Sequence, residues 1–155
     1  MFDKSKKNYK VLIVIVLILF FTGCADTTFS DPKSVVIAMF GAMEKNDKAA
    51  LAHLLDLPEL MKSENKDYAL QMDNPRVFTS PQQILEDLTG DGVTKTRWFS
   101  MQRIVNKTDI LGETATVEVT FVDKQKSIQY YTRFGVHLVN GKWKIYSFKT
   151  IQQAP

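Results

Sequence analysis

Cysteine is nearly absent from this chain: Cys24 is the single one in 155 residues. An intramolecular disulfide is therefore excluded, and the core has to hold without a covalent staple. Histidine is scarce too, with only His53 and His137. Metal sites draw on three or four converging ligands, so this supply points to no metal and implies no cofactor. There is no Gly-x-Ser-x-Gly elbow to expose a nucleophilic serine. There is no phosphate-cradling glycine loop either. Gly90-Asp91-Gly92 follows a helical stretch, whereas such a loop follows a strand and opens a helix. Internal repeats and low-complexity segments are also missing.

What is present begins at the N-terminus. Residues 1–10 carry Lys4, Lys6, Lys7 and Lys10 against Asp3, and residues 11–21 are uninterrupted apolar. Phe21-Thr22-Gly23-Cys24 follows. A basic start, an apolar stretch and small residues before a cut describe a secretory signal. The arrangement resembles the signal peptide and lipobox of a bacterial lipoprotein. That resemblance implies cleavage between Gly23 and Cys24 and acylation of the Cys24 thiol with palmitate-type chains. Two or more such chains anchor stably, while one alone is marginal. Phe21 departs from the Leu, Val or Ile usual at its position. Two other readings stay open: an uncleaved membrane anchor, and an ordinary signal with a chance cysteine. An anchor needs roughly 20 apolar residues, a length reached only by including Thr22, Gly23, Ala25 and Asp26.

The division that follows is a signal peptide over 1–23, a lipidated tether over 24–30 and one domain over 31–155. So short a tether holds the domain near the membrane surface, on the extracytoplasmic side of the cell envelope. Ala25 follows the cysteine, with Asp26 one place later, which points to the outer membrane if the organism has two. The formal charge of +3 belongs to the signal: removing residues 1–23 leaves 16 basic and 16 acidic side chains. The apparent basicity therefore gives no argument for a nucleic-acid partner.

The first half of the domain reads as helices. Asp31-Pro32 is a cap followed by proline at the first helical position. Val35, Val36, Met39, Phe40 and Met43 recur on one face. Asp47 caps a second helix carrying Ala50, Leu51, Leu54 and Leu55, and Pro58 ends it or starts a short turn. Residues 59–78 read as packed but irregular, with a break at Asn74-Pro75. Ser80-Pro81 repeats the cap signal before Ile84, Leu85 and Leu88, and Gly90-Asp91-Gly92 stops that helix.

The second half reads as strands near 96–107, 113–123, 127–139 and 142–152. Asn140-Gly141 suits a type I′ turn, since both residues accept positive φ. It pairs Val139 with Lys142, Leu138 with Trp143 and Val136 with Ile145. A loop at Lys124–Ser127 pairs Phe121 with Tyr130, Val119 with Thr132 and Val117 with Phe134, which gathers the apolar residues on one face. Glu118 then faces Arg133 on the other. The expected architecture is α+β: N-terminal helices on one face of a curved four-stranded antiparallel sheet.

Three segments carry a family resemblance: DPKSVVIAMFGAMEKNDKAALAHLL, TATVEVTF and NGKWKIYSF. They resemble small lipoproteins whose domain of unknown function has the nuclear transport factor 2-like, cystatin-like fold. The resemblance covers roughly residues 31–152 and speaks to fold more than to chemistry. It implies a cone between sheet and helices. Enzymes of that superfamily place an acid, histidine or tyrosine in it, and many of its domains dimerise through the outer sheet face.

The inward face comprises Ala115, Val117, Val119, Phe121, Ile128, Tyr130, Thr132, Phe134, Val136, Leu138, Trp143 and Ile145, with Ser147 beside them. Tyr130, Thr132, Phe134 and Trp143 are its pocket candidates. It holds no carboxylate or histidine, so a general base would have to come from the first strand, Asp67 or Asp73. Continuing the last hairpin without interruption sets Phe148 beside Arg133 on the outer face. Tyr131, Arg133, Tyr146 and Phe148 are then interface candidates. His53 and Asp56 lie three apart and can share a helix side; His137 falls with Glu118, Arg133 and Lys144 as a solvated strand residue. The sequence thus predicts a non-enzymatic membrane-anchored lipoprotein, binding another protein or a small apolar ligand. A pocket enzyme of the isomerase or dehydratase type is the alternative.

Overall fold

A computed structural model describes residues 31–62 and 78–152, the last four by backbone alone. Helices α1 (Pro32–Glu44), α2 (Lys48–Leu54), α3 (Leu57–Leu60), α4 (Pro81–Asp87) and α5 (Val93–Phe99) precede the sheet. Strands β1 (Gln102–Leu111), β2 (Thr114–Asp123), β3 (Ile128–Val139) and β4 (Lys142–Gln152) pair antiparallel in the order β1-β2-β3-β4. The fold is the expected α+β one, with helices against one face of a curved sheet.

Helix α1 starts as its sequence dictates. The Asp31 carboxylate accepts the Ser34 amide at 2.9 Å, and Pro32 takes the position where an N–H would be idle. Its end is a left-handed cap. Asn46 has φ 58°, its amide donates to the Met43 carbonyl, and the Asp47 amide donates to the Ala42 carbonyl. That pair of bonds is a Schellman motif, which satisfies carbonyls the helix leaves open. Asp47 immediately caps α2 through the Ala50 amide at 2.9 Å. The Asn46 side chain reaches further, accepting from the Gly90 amide and the Lys95 ammonium. One residue therefore turns the chain and ties the α1–α2 corner to the α4–α5 loop.

Helix α5 replaces the beginning of the expected first strand. Residues 96–99 are helical, and β1 starts only at Gln102. The reason is a cap that acts at a distance. Asp87, buried at the end of α4, accepts the Val93 and Thr94 amides with one carboxylate oxygen. Gly92 supplies the bend, because a Cβ there would stand 2.2 Å from the Asp87 carbonyl oxygen. Ser80 also differs from expectation. It makes no side-chain cap bond, and Gln83 accepts the Thr79 amide instead.

The β2–β3 register is the expected one, including Phe121 with Tyr130 and Glu118 with Arg133. The β3–β4 turn also matches, with Asn140 and Gly141 both at positive φ. Beyond it the ladder slips between Gly135 and Val136: Val136 pairs with Ile145, but Gly135 pairs with Ser147. Tyr146 is the extra residue of a β-bulge. A glycine stands opposite because the Tyr146 ring lies over it, within 2.9 Å of where a Cβ would be. The slip reverses every later side chain. Phe148 therefore pairs with Phe134 and is buried, not beside Arg133 on the outer face.

Asn46→Gly keeps the left-handed turn open but deletes the side-chain tie. Asn46→Ala deletes the tie and adds left-handed strain of about 1–2 kcal/mol. Urea unfolding should therefore rank wild type above Gly and Gly above Ala; equal midpoints for all three would refute the tie.

Candidate functional site

Two regions of the domain bring chemistry-bearing residues together. The first is the interior of the cone. Tyr130, Thr132, Phe134 and Trp143 all point inward and are buried there. Around Phe134 the space is taken up by rings from three sources: Phe40 of α1, Trp98 of α5, and Phe121 and Phe148 of the sheet. Trp98 stacks on Phe121 at 5.3 Å between centroids. It meets Phe40, Phe134 and Phe148 nearly edge-on at 5.9, 5.7 and 5.9 Å. These are favoured aromatic geometries. Among the described residues the Trp98 indole N–H has no acceptor.

The first strand offers the cone an arginine rather than a base. Arg103 donates to the Trp98 carbonyl at 3.0 Å, and its guanidinium lies 3.9 Å from the Phe99 ring centroid. Burial lowers its pKa, with Glu44 opposing the shift. It remains charged at neutral pH. Asp109 lies on the outer side of β1, 3.1 Å from the Lys107 ammonium. Asp67 and Asp73, the other possible bases, lie outside the described residues, as do Cys24 and Gly23. Among the described residues no group of three His, Cys, Asp or Glu side chains is arranged to hold a metal.

The second region is on the outer face, and the sequence did not show it. Helix α2 ends at Leu54, so Asp56 is not on the helix with His53. Leu55 instead forms a parallel bridge to Ile145, and the Asp56 amide donates to the Ile145 carbonyl at 2.8 Å. The chain thus runs along the edge of β4. From there the Asp56 carboxylate reaches across to His137 Nε2 at 2.9 Å. Its other oxygen caps α3 at the Glu59 amide. Tyr146 covers the far side of the imidazole, with ring centroids 4.6 Å apart. His137 is consequently a held residue, its side chain 25% and that of Asp56 17% exposed, rather than a freely solvated one. His53 is exposed. The one local hint was Asp56-Leu57-Pro58, which reads as a cap before a helix-opening proline.

This arrangement clamps the α2–α3 junction onto the sheet. It also reduces the outer face as a docking surface. Tyr146 is committed to Gly135 and His137, Tyr131 donates to Gln129 at 2.9 Å, and Phe148 is inside. Of the four interface candidates, only Arg133 is exposed. Large apolar exposure among the described residues lies elsewhere, at Ile37, Val93, Ile104, Ile110 and Leu111.

A double-mutant cycle of Asp56→Asn and His137→Gln should show a coupling of about 1 kcal/mol, reflecting a half-buried charged hydrogen bond. Strict additivity would mean that the two side chains do not support one another.

No protein-family model matches the sequence, and a search of curated proteins finds no match. Solved structures do resemble it. An NTF2-like (nuclear transport factor 2-like) protein of unknown function from Methylobacillus flagellatus KT is 14% identical. The match covers 86% of this chain and 97% of that one, with a TM-score of 0.50. NTF2-like proteins of unknown function from Silicibacter pomeroyi and Shewanella baltica are 16% and 15% identical. They match 77% and 78% of this chain and 91% and 90% of their own, with a TM-score of 0.47 each. At such identities the likeness concerns the fold. The four-stranded curved sheet and its covering helices, with the likeness to the Methylobacillus flagellatus protein, show that the domain has the α+β cone fold seen in NTF2-like proteins.

Proposed function

We propose that the protein is a lipoprotein of the bacterial cell envelope, held to the membrane by acyl chains on Cys24, with its NTF2-like domain serving as a binding module. The observation that carries the second half of this reading is the ring cluster packed between helices and sheet. Five rings pack where a substrate of an isomerase or dehydratase would need to sit. A general base must lie within hydrogen-bond reach of the proton it takes. Among the described strand residues the inward positions offer two ionisable groups, Arg103 and, at the far end of β2, Asp123, whose carboxylate accepts the Gln125 and Lys126 amides of its own turn. The first half of the reading rests on the signal-like segment and Cys24.

A binding module with a filled interior works through its surface, so a protein partner fits better than an apolar small ligand. Pairing of two copies through the outer sheet face remains part of the proposal, with Arg133 as its accessible residue. Arg133→Glu should then shift sedimentation of the domain to a slower species; unchanged sedimentation would remove that dimer.

The anchor is tested by metabolic labelling with an alkyne fatty acid. The wild-type chain should take up label and fractionate with membranes, while Cys24→Ala should lose the label and accumulate as precursor. Persistent labelling and processing of the variant would refute the lipoprotein assignment.

A further inference from the structure

The largest apolar exposure in the described domain is at one hairpin tip. Ile110 is 59% and Leu111 82% exposed, at the end of β1 just before the Gly112 turn. They are consecutive, so they project to opposite faces of the strand and present an apolar edge in both directions.

The position of this tip relative to the chain entry follows from two contacts. The Lys33 ammonium donates to the Asn106 carbonyl at 2.9 Å. Seven residues later, Phe40 faces the Arg103 guanidinium at 5.8 Å. Helix α1 therefore runs opposite to β1. The two distances agree: seven helical residues rise about 10 Å, and three strand residues span about 10 Å. The N-terminus of α1 accordingly points towards the end of β1 that carries Ile110 and Leu111. From Asn106 to Leu111 the strand covers at most about 17 Å.

The preceding chain is short. Cys24 lies seven residues before Asp31. Fully extended, seven residues reach at most about 25 Å. An acylated Cys24 in a bilayer thus holds the α1 entry within that distance of the lipid, and the hairpin tip lies on the same side. The β3–β4 turn is a neighbour at this end, since the Leu138 amide donates to the Glu113 carbonyl at 2.9 Å. Both signs of charge occur around the tip: Lys107 pairs with Asp109, and Glu113 and Lys142, one in each neighbouring turn region, are exposed.

We infer that the β1–β2 tip, Ile110 and Leu111, is a membrane-contacting element that seats in the lipid bilayer and fixes the orientation of the anchored domain. This inference rests on the lipoprotein reading above. The occupant is lipid rather than protein because the tether confines this end to the bilayer. With both signs of charge around the tip, the contact is driven by apolar burial and requires no anionic lipid. Lipid contact of the tip would bring the His137 end of the sheet, with the α2–α3 clamp, nearest to the membrane and leave the β2–β3 turn farthest from it.

The test uses the processed, acylated protein in phosphatidylcholine vesicles, with a fluorophore on Leu111→Cys or, at the opposite turn, on Gln125→Cys. Cys24 carries its acyl chain and leaves the new thiol as the only one to label. Acylation is verified on the same samples. The 111 probe should be blue-shifted and strongly quenched by spin-labelled lipid, while the 125 probe should respond only to an aqueous quencher. With Cys24 acylated, equal aqueous quenching at both positions would overturn this inference alone. A 111 probe shielded from water yet untouched by the lipid quencher would place a protein there and overturn it as well. Absence of the acyl group would overturn the lipoprotein reading and this inference together.

Discussion

Trp98 sits among Phe40, Phe121, Phe134 and Phe148, with every centroid between 5.3 and 5.9 Å from its own ring. The rest of the domain depends on this packing, because it joins two helices and three strands in one set of ring contacts. Phe40 arrives on α1, Trp98 on α5, and the remaining rings on β2, β3 and β4. Each burial removes a large apolar area from water, and loss of one ring costs about 3–5 kcal/mol. With no disulfide available, such a cluster is what holds helices to sheet. Its formation needs two local devices. Asp87 and Gly92 create α5 and so deliver Trp98, while the Tyr146 bulge turns Phe148 inward.

The same two devices mark where sequence reasoning ran out. Alternation of apolar residues sufficed for the β2–β3 register, because a one-residue slip would have put Val117 opposite Arg133. Asn140-Gly141 sufficed for the next turn. A bulge, however, changes the phase of the alternation without a strong local sign. The Ile145-Tyr146-Ser147-Phe148 pattern is apolar at every other position only if Tyr146 counts twice. Gly135 opposite it was the available clue. Helix α5 was hidden for a different reason: Val93 to Phe99 is rich in β-branched and aromatic residues, which favour strands, and its capping carboxylate lies six residues upstream of the first capped amide.

The outer face was legible in composition but not in contacts. Tyr131, Arg133 and Tyr146 do lie there. Asp56 reaching His137 is a contact between residues 81 apart in sequence, and no spacing rule predicts it. Its effect is to convert two surface side chains into a clamp and to spend Tyr146 on covering it. Among the described side chains the largest apolar exposure lies at the β1 hairpin tip, Ile110 and Leu111, rather than on the outer sheet face.

The state of the cone interior can be measured through Trp98 itself. In a Trp143→Phe chain it is the only remaining indole, so its emission and its quenching by acrylamide report on the cone directly. The occupied cone predicts blue-shifted emission with slow quenching in the folded protein, rising to full access in urea. Red-shifted, readily quenched emission from the folded chain would mean an open, hydrated cone and would contradict the account at its centre.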